Sequence, residues 1–446
     1  MRKRMHEQLP LMQPFISHDH GRELAEMDAI LDNLRDVLSA VQRDLAGRTS
    51  PRRGREGMTA EQVLRVLIIK QLNGYTYDEL SFHLCDSTCY RAFCRMGILD
   101  KAPSRSTLQE NIKRLQPKTM EKIQLALVKH AQEIGMEDGE RLRIDCTTTE
   151  CNIHEPTDSS LLWDVTRKLT TLMKRGRMHG ITFHDRRRRA KRRWVAIQYA
   201  GTMERRAPIY RELIALAGTT CEEALQAAAL LEKRAAKMAS VQKLAVELRE
   251  YAALGRRVID QAQGRVLEQE NVPAAEKVVS IFEPHTDIIV KGRRSTEYGH
   301  KICLATGRSG LITDCVVQAG NPADVTLAPE MIDRHRAHFG AVPREAAFDG
   351  GFASRQNLAT LKERGVKEVM FSKLCGLEMS DLTSSLSVYR ALRHFRAGVE
   401  ASISFLKRVV GLERCTWRGQ VSFGVYVLSS VVTANLLLLA RHRLAT

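Results

Sequence analysis

Three acidic residues stand where a metal-dependent active site would need them: Asp145, Asp349 and Glu400. Asp145 ends the strand-like run Arg141-Leu-Arg-Ile-Asp145, Asp349 ends a second run at 344–349, and Glu400 lies on a predicted helix. A carboxylate at the end of a buried strand is costly unless it pairs or binds a cation. Three such groups brought together would form an oxygen-ligand site for Mg²⁺. Two ions in such a site can activate water and stabilise the leaving oxygen in phosphodiester cleavage.

The predicted helix around Glu400 carries cations beside the acid. With 3.6 residues per turn, Arg396, Glu400 and Lys407 share one stripe at the edge of an apolar face. Arg396 and Lys407 could therefore hold a phosphate near bound metal, although an ordinary i,i+4 Arg–Glu pair explains this helix better when it is taken alone. The order of elements favours a site, because it predicts a mixed α/β arrangement that could gather all three acids at one end of a sheet.

Bulk composition points towards a polyanionic partner. The chain has 446 residues, a formal charge of +17, a pI of about 9.6 and 43% hydrophobic residues. This length allows two or three domains, and such a charge favours nucleic acid, although a basic but otherwise ordinary enzyme would also fit. The ten cysteines form no CxxC pair, which indicates reduced thiols in a cytoplasm.

The sequence predicts no membrane segment. The N-terminus lacks the apolar stretch of a signal peptide. Residues 421–440 form the only long apolar run, but serine, threonine and asparagine interrupt it. Although a span needs about 20 predominantly apolar residues, these polar insertions favour a buried C-terminal helix. We therefore expect a cytoplasmic protein.

The N-terminal third reads as helical. Residues 21–45 predict one amphipathic helix, and the breaker-rich stretch 47–55 predicts a basic linker. Thr59 is expected to cap the next helix, with Gln62 as its capping-box partner, and Thr76 to cap another. We expect a first segment at residues 1–56 and a helical domain at residues 57–136.

A polar helix at residues 103–115 suits a helix-turn-helix reader of DNA. A plain helical bundle with a solvated face explains the pattern about equally well, and the net charge favours DNA. The predicted phosphate and base contacts are Arg105, Ser106, Thr107, Gln109, Asn111, Lys113 and Arg114.

Residues 161–269 turn helical and contain a dense cationic run before Trp194. Seven cations in eight residues are too many for an ordinary ion-paired helix face. Such runs are usually only solvated, but the company of Trp194 and of the acidic residues favours phosphate contact. The predicted contacts are Arg186, Arg187, Arg188, Arg189, Lys191, Arg192 and Arg193.

Strand-type composition returns after residue 277. Strands are predicted at residues 278–283 and 286–290, and a hairpin joins 299–305 to 311–317. Asp324 is expected to cap a helix that runs to residue 338. The Asp349 strand, a helix at residues 354–364, a strand at 368–371 and the Glu400 helix follow.

At this point the chain resembles the bacterial insertion-sequence transposases with an RNase-H-like DDE domain, most closely the ISNCY type. The resemblance covers about residues 57–440, and residues 58–115 resemble the N-terminal helical domain of these enzymes. The matching motifs are Ile144-Asp-Cys-Thr-Thr148, Tyr298-Gly-His-Lys301, Gly320-Asn-Pro-Ala-Asp324, Phe348-Asp-Gly-Gly351 and the R-x3-E-x6-K pattern of Arg396, Glu400 and Lys407. One departure is Arg393, where family members often carry a Tyr that contacts DNA.

The resemblance implies an α/β RNase-H-like catalytic domain with a mixed sheet at residues 137–446, interrupted by a basic helical insertion at about 160–272. It implies a helix-turn-helix-like N-terminal domain and double-stranded DNA partners, namely the terminal inverted repeats and target DNA. A homodimer would join two ends in a synaptic complex. Two Mg²⁺ or Mn²⁺ ions would be shared by Asp145 and Asp349 and completed by Glu400, so that water and then a 3′-hydroxyl attack phosphorus in line.

Two other functions remain open at the level of sequence. The first is a catalytically inactive DNA-binding regulator, against which the intact set of acids argues. The second is a metal-dependent nuclease that cuts without rejoining, which only the family resemblance disfavours.

Overall fold

The computed structural model describes residues 4, 17–47, 57–97, 99–234, 238–291 and 295–446. Beyond Gly47, the predicted basic linker at 47–55 lies outside the described residues. The chain divides into two compact units. The sheet unit comprises Met1–Cys151 and His300–Thr446, and the helical unit comprises Asn152–Gly299.

The N-terminal part of the sheet unit is helical. The capping box predicted for Thr59 and Gln62 is confirmed, and so is the cap predicted at Thr76, which pairs with Glu79 in a second capping box. The single helix predicted at residues 21–45 is wrong, because a 3₁₀ turn at Arg35–Val37 divides it where poor helix formers cluster. The helices are α1 (Asp19–Asn33), α2 (Leu38–Ala46), α3 (Ala60–Asn73), α4 (Tyr77–Asp86), α5 (Thr88–Phe93), α6 (Arg105–Ile112) and α7 (Pro117–Glu133).

A buried ionic network joins α1 to α3. The Arg65 side chain is 2% exposed and contacts Asp28, Asp32 at 2.9 Å and Glu61 at 3.1 Å. Arg95 contacts the same three acids at 2.7 to 3.0 Å. Removing one partner of a buried pair costs about 3–5 kcal/mol, so the network fixes α1 against the rest of the helical part.

The sheet unit contains a mixed sheet in the order β4-β3-β1-β5-β6, and β7 pairs with the end of β1. The β1–β5, β5–β6 and β1–β7 pairs are parallel, whereas β3 and β4 form the predicted antiparallel hairpin. The strands are β1 (Arg141–Cys151), β3 (Ser295–Thr306), β4 (Ile312–Val317), β5 (Glu345–Phe348), β6 (Glu368–Phe371) and β7 (Arg414–Cys415). The first residues of β3 belong to the helical unit, where they pair antiparallel with β2 (Asp287–Lys291).

Helices cover both faces of this sheet. Leu142, Ile144 and Phe348 pack in a core with α12 (Ala328–Phe339) and α13 (Arg355–Glu363). Because successive strand side chains alternate between faces, Ala347 points to the other side. There, Ala347 and Met370 of β6 pack against α15 (Leu386–Arg408), after the short α14 (Met379–Leu382). The alternation therefore turns Arg143 and Asp145 of β1 towards the helix that carries Glu400.

The long apolar run forms α16 (Gln420–Ala445), a core helix as predicted. It is the one helix among the described residues long and apolar enough to cross a membrane, and 89% of its most apolar window is buried within the protein. Two of its polar residues bind other elements: Asn435 accepts from the Ile312 amide at 2.9 Å and donates to the Ile312 carbonyl at 2.8 Å. Ser430 accepts from Gln71 of α3 at 2.8 Å. These contacts explain why polar residues interrupt the apolar run.

The helical unit contains α8 (Asp158–Arg175), α9 (Arg187–Tyr199), α10 (Met203–Arg234) and α11 (Ala239–Ala262) around one apolar core. The strand predicted at residues 278–283 is wrong. The Gln261 side chain binds the Val278 backbone instead, accepting from its amide at 2.8 Å and donating to its carbonyl at 3.4 Å. Ser280 accepts from the amides of Phe282 and Glu283. The backbone hydrogen-bonding groups of this segment are therefore satisfied by a side chain and a local turn, although its composition is typical of a strand.

Candidate active site

Asp145 lies within a strand rather than at its end, which corrects the sequence prediction. β1 continues to Cys151 because the β-branched Thr147, Thr148 and Thr149 suit a strand and because its last residues pair with β7. The Asp145 carboxylate accepts from the Cys146 amide at 2.8 Å and from Arg396 Nη2 at 2.9 Å. Its side chain is only 15% exposed. Burial raises the pKa of Asp145 to about 6, although the Arg396 charge opposes this.

Asp349 follows β5 directly, as predicted. Its Oδ1 accepts from Ser372 Oγ at 2.8 Å and lies 3.0 Å from Arg396 Nη2. Burial favours the protonated acid, but hydrogen bonds from Ser372 and the Gly350 amide, together with the Arg396 charge, outweigh it and hold the pKa of Asp349 below its usual value. A Cβ at Gly350 would stand 2.7 Å from Lys373 Cγ. The glycine after the aspartate therefore lets this loop lie close to the end of β6.

Glu400 lies on α15, and its side chain is 68% exposed. Its Oε1 accepts from Arg396 Nη1 at 2.9 Å, one helical turn away. Lys407 lies seven residues further along, about 10 Å along the axis at 1.5 Å per residue, and is half-buried. Glu400 is thus the most solvent-accessible of the three acids.

One guanidinium touches all three carboxylates. Since Nη2 of Arg396 lies 2.9 Å from Asp145 Oδ2 and 3.0 Å from Asp349 Oδ1, these two oxygens are no more than about 6 Å apart. The bond from Nη1 to Glu400 brings in the third acid. Among the described residues these three acids do not form a cluster with all ligand atoms within 4.8 Å. The acids therefore surround the cation of Arg396, and holding a metal with all three would require side-chain movement.

Arg143 fixes α15 over the sheet, a role that the sequence reading missed. Its side chain is buried and donates to Thr306 Oγ1 at 2.7 Å and to the Phe395 carbonyl at 2.8 Å. A Cβ at Gly398 would stand 2.0 Å from Arg143 Nη1. The glycine two residues before Glu400 thus makes room for a guanidinium two residues before Asp145. The available signal was a glycine inside a helix, which is out of place by propensity, and a charged residue between the apolar Leu142 and Ile144 of a strand.

Asp324 does not cap a helix, contrary to the prediction. A 3₁₀ turn at Asp324–Thr326 precedes α12, and the carboxylate accepts from Lys301 Nζ at 2.9 Å. Lys301 also donates to the Pro322 carbonyl at 2.6 Å. A Cβ at Gly351 would stand 2.9 Å from Asp324 Oδ2. The ion pair therefore packs against the loop that follows Asp349. Lys301 and Asp324 belong to two of the motifs shared with the transposases, and both support that loop.

The donor set fits a hard divalent cation. Three carboxylates face one guanidinium, so the cluster retains an excess of negative charge that a divalent ion would offset. Carboxylate oxygens are the ligands that Mg²⁺ takes in such sites. Asp145, Asp349 and Glu400 are the residues that could hold the ion or ions.

The structure limits the DNA contacts predicted on α6, which begins after the Ser104 cap. Asn111 is 4% exposed and its amide donates to the Thr107 carbonyl at 2.7 Å, so the predicted base contact of Asn111 is wrong. Arg114 donates to the Leu45 carbonyl at 2.8 Å, and Arg105 pairs with Asp78 at 3.0 Å. The remaining predicted contacts, of which Thr107 and Gln109 are half-buried and the others exposed, are Ser106, Thr107, Gln109 and Lys113.

The predicted cationic run lies on α9 and just before it, and four of its seven cations are ion-paired. Glu223 binds Arg186, Asp185 binds Arg187, and Glu212 binds Arg189 and Arg193. None of these ion pairs is an i,i+4 pair within the helix, in agreement with the expectation that the run is too dense for an ordinary ion-paired face. The carboxylates come instead from Asp185, just before the helix, and from Glu212 and Glu223 of α10. The remaining cations are exposed, have no ion pair among the described residues, and are called the α9 ridge: Arg188, Lys191 and Arg192.

The α9 ridge faces away from the core of the helical unit. At 100° per residue, Arg188 and Arg192 lie opposite the buried Ala190 and Ile197. The ridge also occupies the first turns of the helix, where the helix dipole disfavours cations and favours anions. These charges therefore do not stabilise the helix itself. An anionic partner that bound them would be attracted by the cations.

Two family profiles match the chain. Residues 11–114 match the Transposase domain (DUF772), and residues 284–436 match the Transposase DDE domain. The second match includes Asp349 and Glu400 and begins after Asp145. Searches of curated proteins and of solved structures give no match.

The DDE-domain match implies an RNase-H-like fold, and the structure has a mixed sheet. The two matches together show that the chain belongs to the DDE transposases of insertion sequences. Transposases of this family act on DNA and usually use divalent metal ions.

Proposed function

We propose that this transposase binds the terminal inverted repeats of its element and catalyses metal-dependent cleavage and strand transfer, with Asp145, Asp349 and Glu400 as the metal ligands. The observation that carries the proposal is the contact of one guanidinium with all three carboxylates, at 2.9 to 3.0 Å. Asp145 and Asp349 are 204 positions apart in the chain, and Asp349 and Glu400 are 51 positions apart. Folding nevertheless brings all three to one cation, as a shared metal site requires. The ISNCY subtype remains a prediction.

Two Mg²⁺ or Mn²⁺ ions bound there would supply an activated water and neutralise charge on the phosphate. The protein itself positions the three acids, and their side chains differ in how firmly they are held. Asp145 is fixed by its strand, Asp349 is oriented by Ser372 Oγ, and Glu400 is exposed on its helix. Asp145 is rigid on its strand, and Glu400 can adapt its position on its helix. This combination suits a site that must accept a long substrate from one open side.

A polar surface on α6 and a cationic surface on α9 support a DNA partner. The exposed part of α6 supports the proposal of a helix-turn-helix-like reader of the repeats, within a domain at residues 57–136 that follows the segment 1–56. The α9 ridge, within the insertion proposed at about 160–272 of the catalytic domain 137–446, would grip phosphate. Lys407 would hold the strand beside the acids. A homodimer that joins two ends in a synaptic complex, and action on DNA in the bacterial cytoplasm at the nucleoid, belong to the same proposal.

The test is an end-joining assay with the full-length protein. A labelled duplex carrying the inverted repeat of the element is incubated with a supercoiled target plasmid in Mg²⁺, in Mn²⁺ and in EDTA. We expect end cleavage and covalent joining to the plasmid with either ion, and neither product in EDTA. Cleavage without joining would show a nuclease, binding without cleavage would show a regulator, and either result would contradict the proposal.

A further inference from the structure

The partners of Arg396 within the described part of the chain are the three acids. Among the described residues, each hydrogen bond and ion pair of its guanidinium goes to Asp145, Asp349 or Glu400. Its Nε is buried and makes no hydrogen bond to any residue that the structure describes. By contrast, the guanidinium of Arg143 is tied to a backbone carbonyl and a threonine. The polar contacts that hold the Arg396 guanidinium among the described residues therefore all come from the acids.

We propose that Arg396 is an internal counter-cation that holds the three acids together and that divalent ions must displace to bind. The inference rests on the proposed function, because it takes the acids as metal ligands. It makes Arg396 a positioning residue that competes with the metal, in addition to any contact with DNA.

The charges explain why such a residue is needed. Carboxylates crowded in one site repel one another, and at least one tends to take up a proton. A cation between them offsets this repulsion and keeps their oxygens turned inwards. Arginine suits the position because its planar fork can bind several carboxylate oxygens at once.

The same contacts make Arg396 displaceable. A divalent ion carries twice its charge and binds carboxylate oxygens directly. Once the acids turn to an ion, nothing else among the described residues retains the guanidinium, whose side chain is 16% exposed and therefore borders solvent. Released from the acids, it would be free to form the bidentate contacts that arginine makes with phosphate. Loss of the Arg396 charge should therefore tighten metal binding in the absence of DNA.

The experiment measures Mn²⁺ binding to the full-length protein without DNA, from the electron paramagnetic resonance signal of free Mn²⁺. Arg396→Gln removes the competing charge, and Arg393→Gln is the matched control, since Arg393 is exposed on the same helix whereas the ion pairs of the three acids go to Arg396. Asp145→Asn reports whether the ion binds at the proposed site. We expect Arg396→Gln to lower the Mn²⁺ Kd roughly ten-fold or more, within the range of ordinary coupling between sites. Arg393→Gln should change it by less than about two-fold, and Asp145→Asn should raise it.

An unchanged or higher Kd in Arg396→Gln, with Asp145→Asn still weakening the site, would overturn the inference and leave the proposed function intact. If Asp145→Asn left Mn²⁺ binding unaltered, the metal site would be wrong and the inference would fall with it. Circular dichroism checks that each variant folds. Should Arg396→Gln unfold, Arg396→Met takes its place, because it also removes the charge while keeping an unbranched side chain of similar length; a Kd no lower than that of the wild type would then overturn the inference.

Discussion

Gly398 offers a test in which two effects have opposite signs. Replacing a glycine inside a helix with alanine normally stabilises the helix by about 1 kcal/mol. At Gly398 the new Cβ would stand 2.0 Å from Nη1 of Arg143. The buried guanidinium cannot simply move aside, because Thr306 holds it at 2.7 Å and the Phe395 carbonyl holds it at 2.8 Å. We therefore expect Gly398→Ala to destabilise α15.

The magnitude follows from the bond that is lost. A hydrogen bond to a charged group contributes about 1.5–3 kcal/mol, and the gain in helix propensity offsets about 1 kcal/mol of this. The net loss should be about 0.5–2 kcal/mol. In an Arg143→Ala background the obstacle is gone, so the same Gly398→Ala change should stabilise α15 by about 1 kcal/mol. This reversal is a coupling between the two positions that a double-mutant cycle isolates.

Hydrogen exchange measured by mass spectrometry on peptides from α15 gives the local opening free energy that this prediction concerns. Gly218→Ala serves as the control, because Gly218 lies inside α10 and a Cβ there would meet nothing within 4 Å; exchange in its own helix should slow. End cleavage by Gly398→Ala should also fall, because α15 carries Glu400. If Gly398→Ala stabilised α15 in the wild-type background, the contact between Arg143 and the helix would not be what positions Glu400.

Three further predictions concern binding and stability. Neutralising the α9 ridge should reduce the log–log salt slope of binding to both end and scrambled duplexes, by about 0.9 per lost phosphate contact; Arg193→Gln, whose charge Glu212 already offsets, should change the slope less, and an equal effect would refute the distinction. Changing Gln109 on α6 should reduce the preference for end DNA, by about 1–3 kcal/mol for a bidentate base contact, whereas Asn111→Ala should lower the melting temperature without changing that preference. Burial lowers the pKa of His335 to about 4, so the unfolded chain binds the extra proton first and folding stability should fall as pH drops from about 6.5 to about 4; His335→Gln should flatten urea midpoints measured across this window, and an unchanged slope would contradict the burial of a neutral imidazole.

Much of the fold could be predicted from the sequence because local interactions determine it. The helix caps at Thr59 and Thr76, the hairpin of β3 and β4, and the strand before Asp349 follow from propensities and turn signals within a few residues. The polar residues in the C-terminal apolar run also pointed correctly to a core helix. These features are readable because short-range interactions decide them.

The errors arise where distant residues decide the outcome. Pairing with β7 extends β1 past Asp145, and Gln261 satisfies the backbone at Val278 in place of a neighbouring strand. Burial removes Asn111 from the surface. The pattern of apolar and polar residues within one segment does not indicate partners that lie far away in the chain.

The candidate site shows the same division. The sequence indicates three acids and their elements, and the family resemblance implies their role. The bridging position of Arg396, the anchor of Arg143 and the support from Lys301 and Asp324 all join residues far apart in the chain. Only the folded structure brings those partners together.

The most direct test of the central claim is single-turnover cleavage of end DNA by Asp145→Asn, Asp349→Asn and Glu400→Gln. Glu150→Gln is the matched control, because Glu150 lies on the same strand as Asp145 but pairs with Arg414 at 3.8 Å rather than with Arg396. With circular dichroism confirming the fold, we predict that each of the three variants abolishes cleavage in Mg²⁺ while Glu150→Gln cuts at close to the wild-type rate. Near-wild-type cutting by any one of the three would contradict the assignment of the active site.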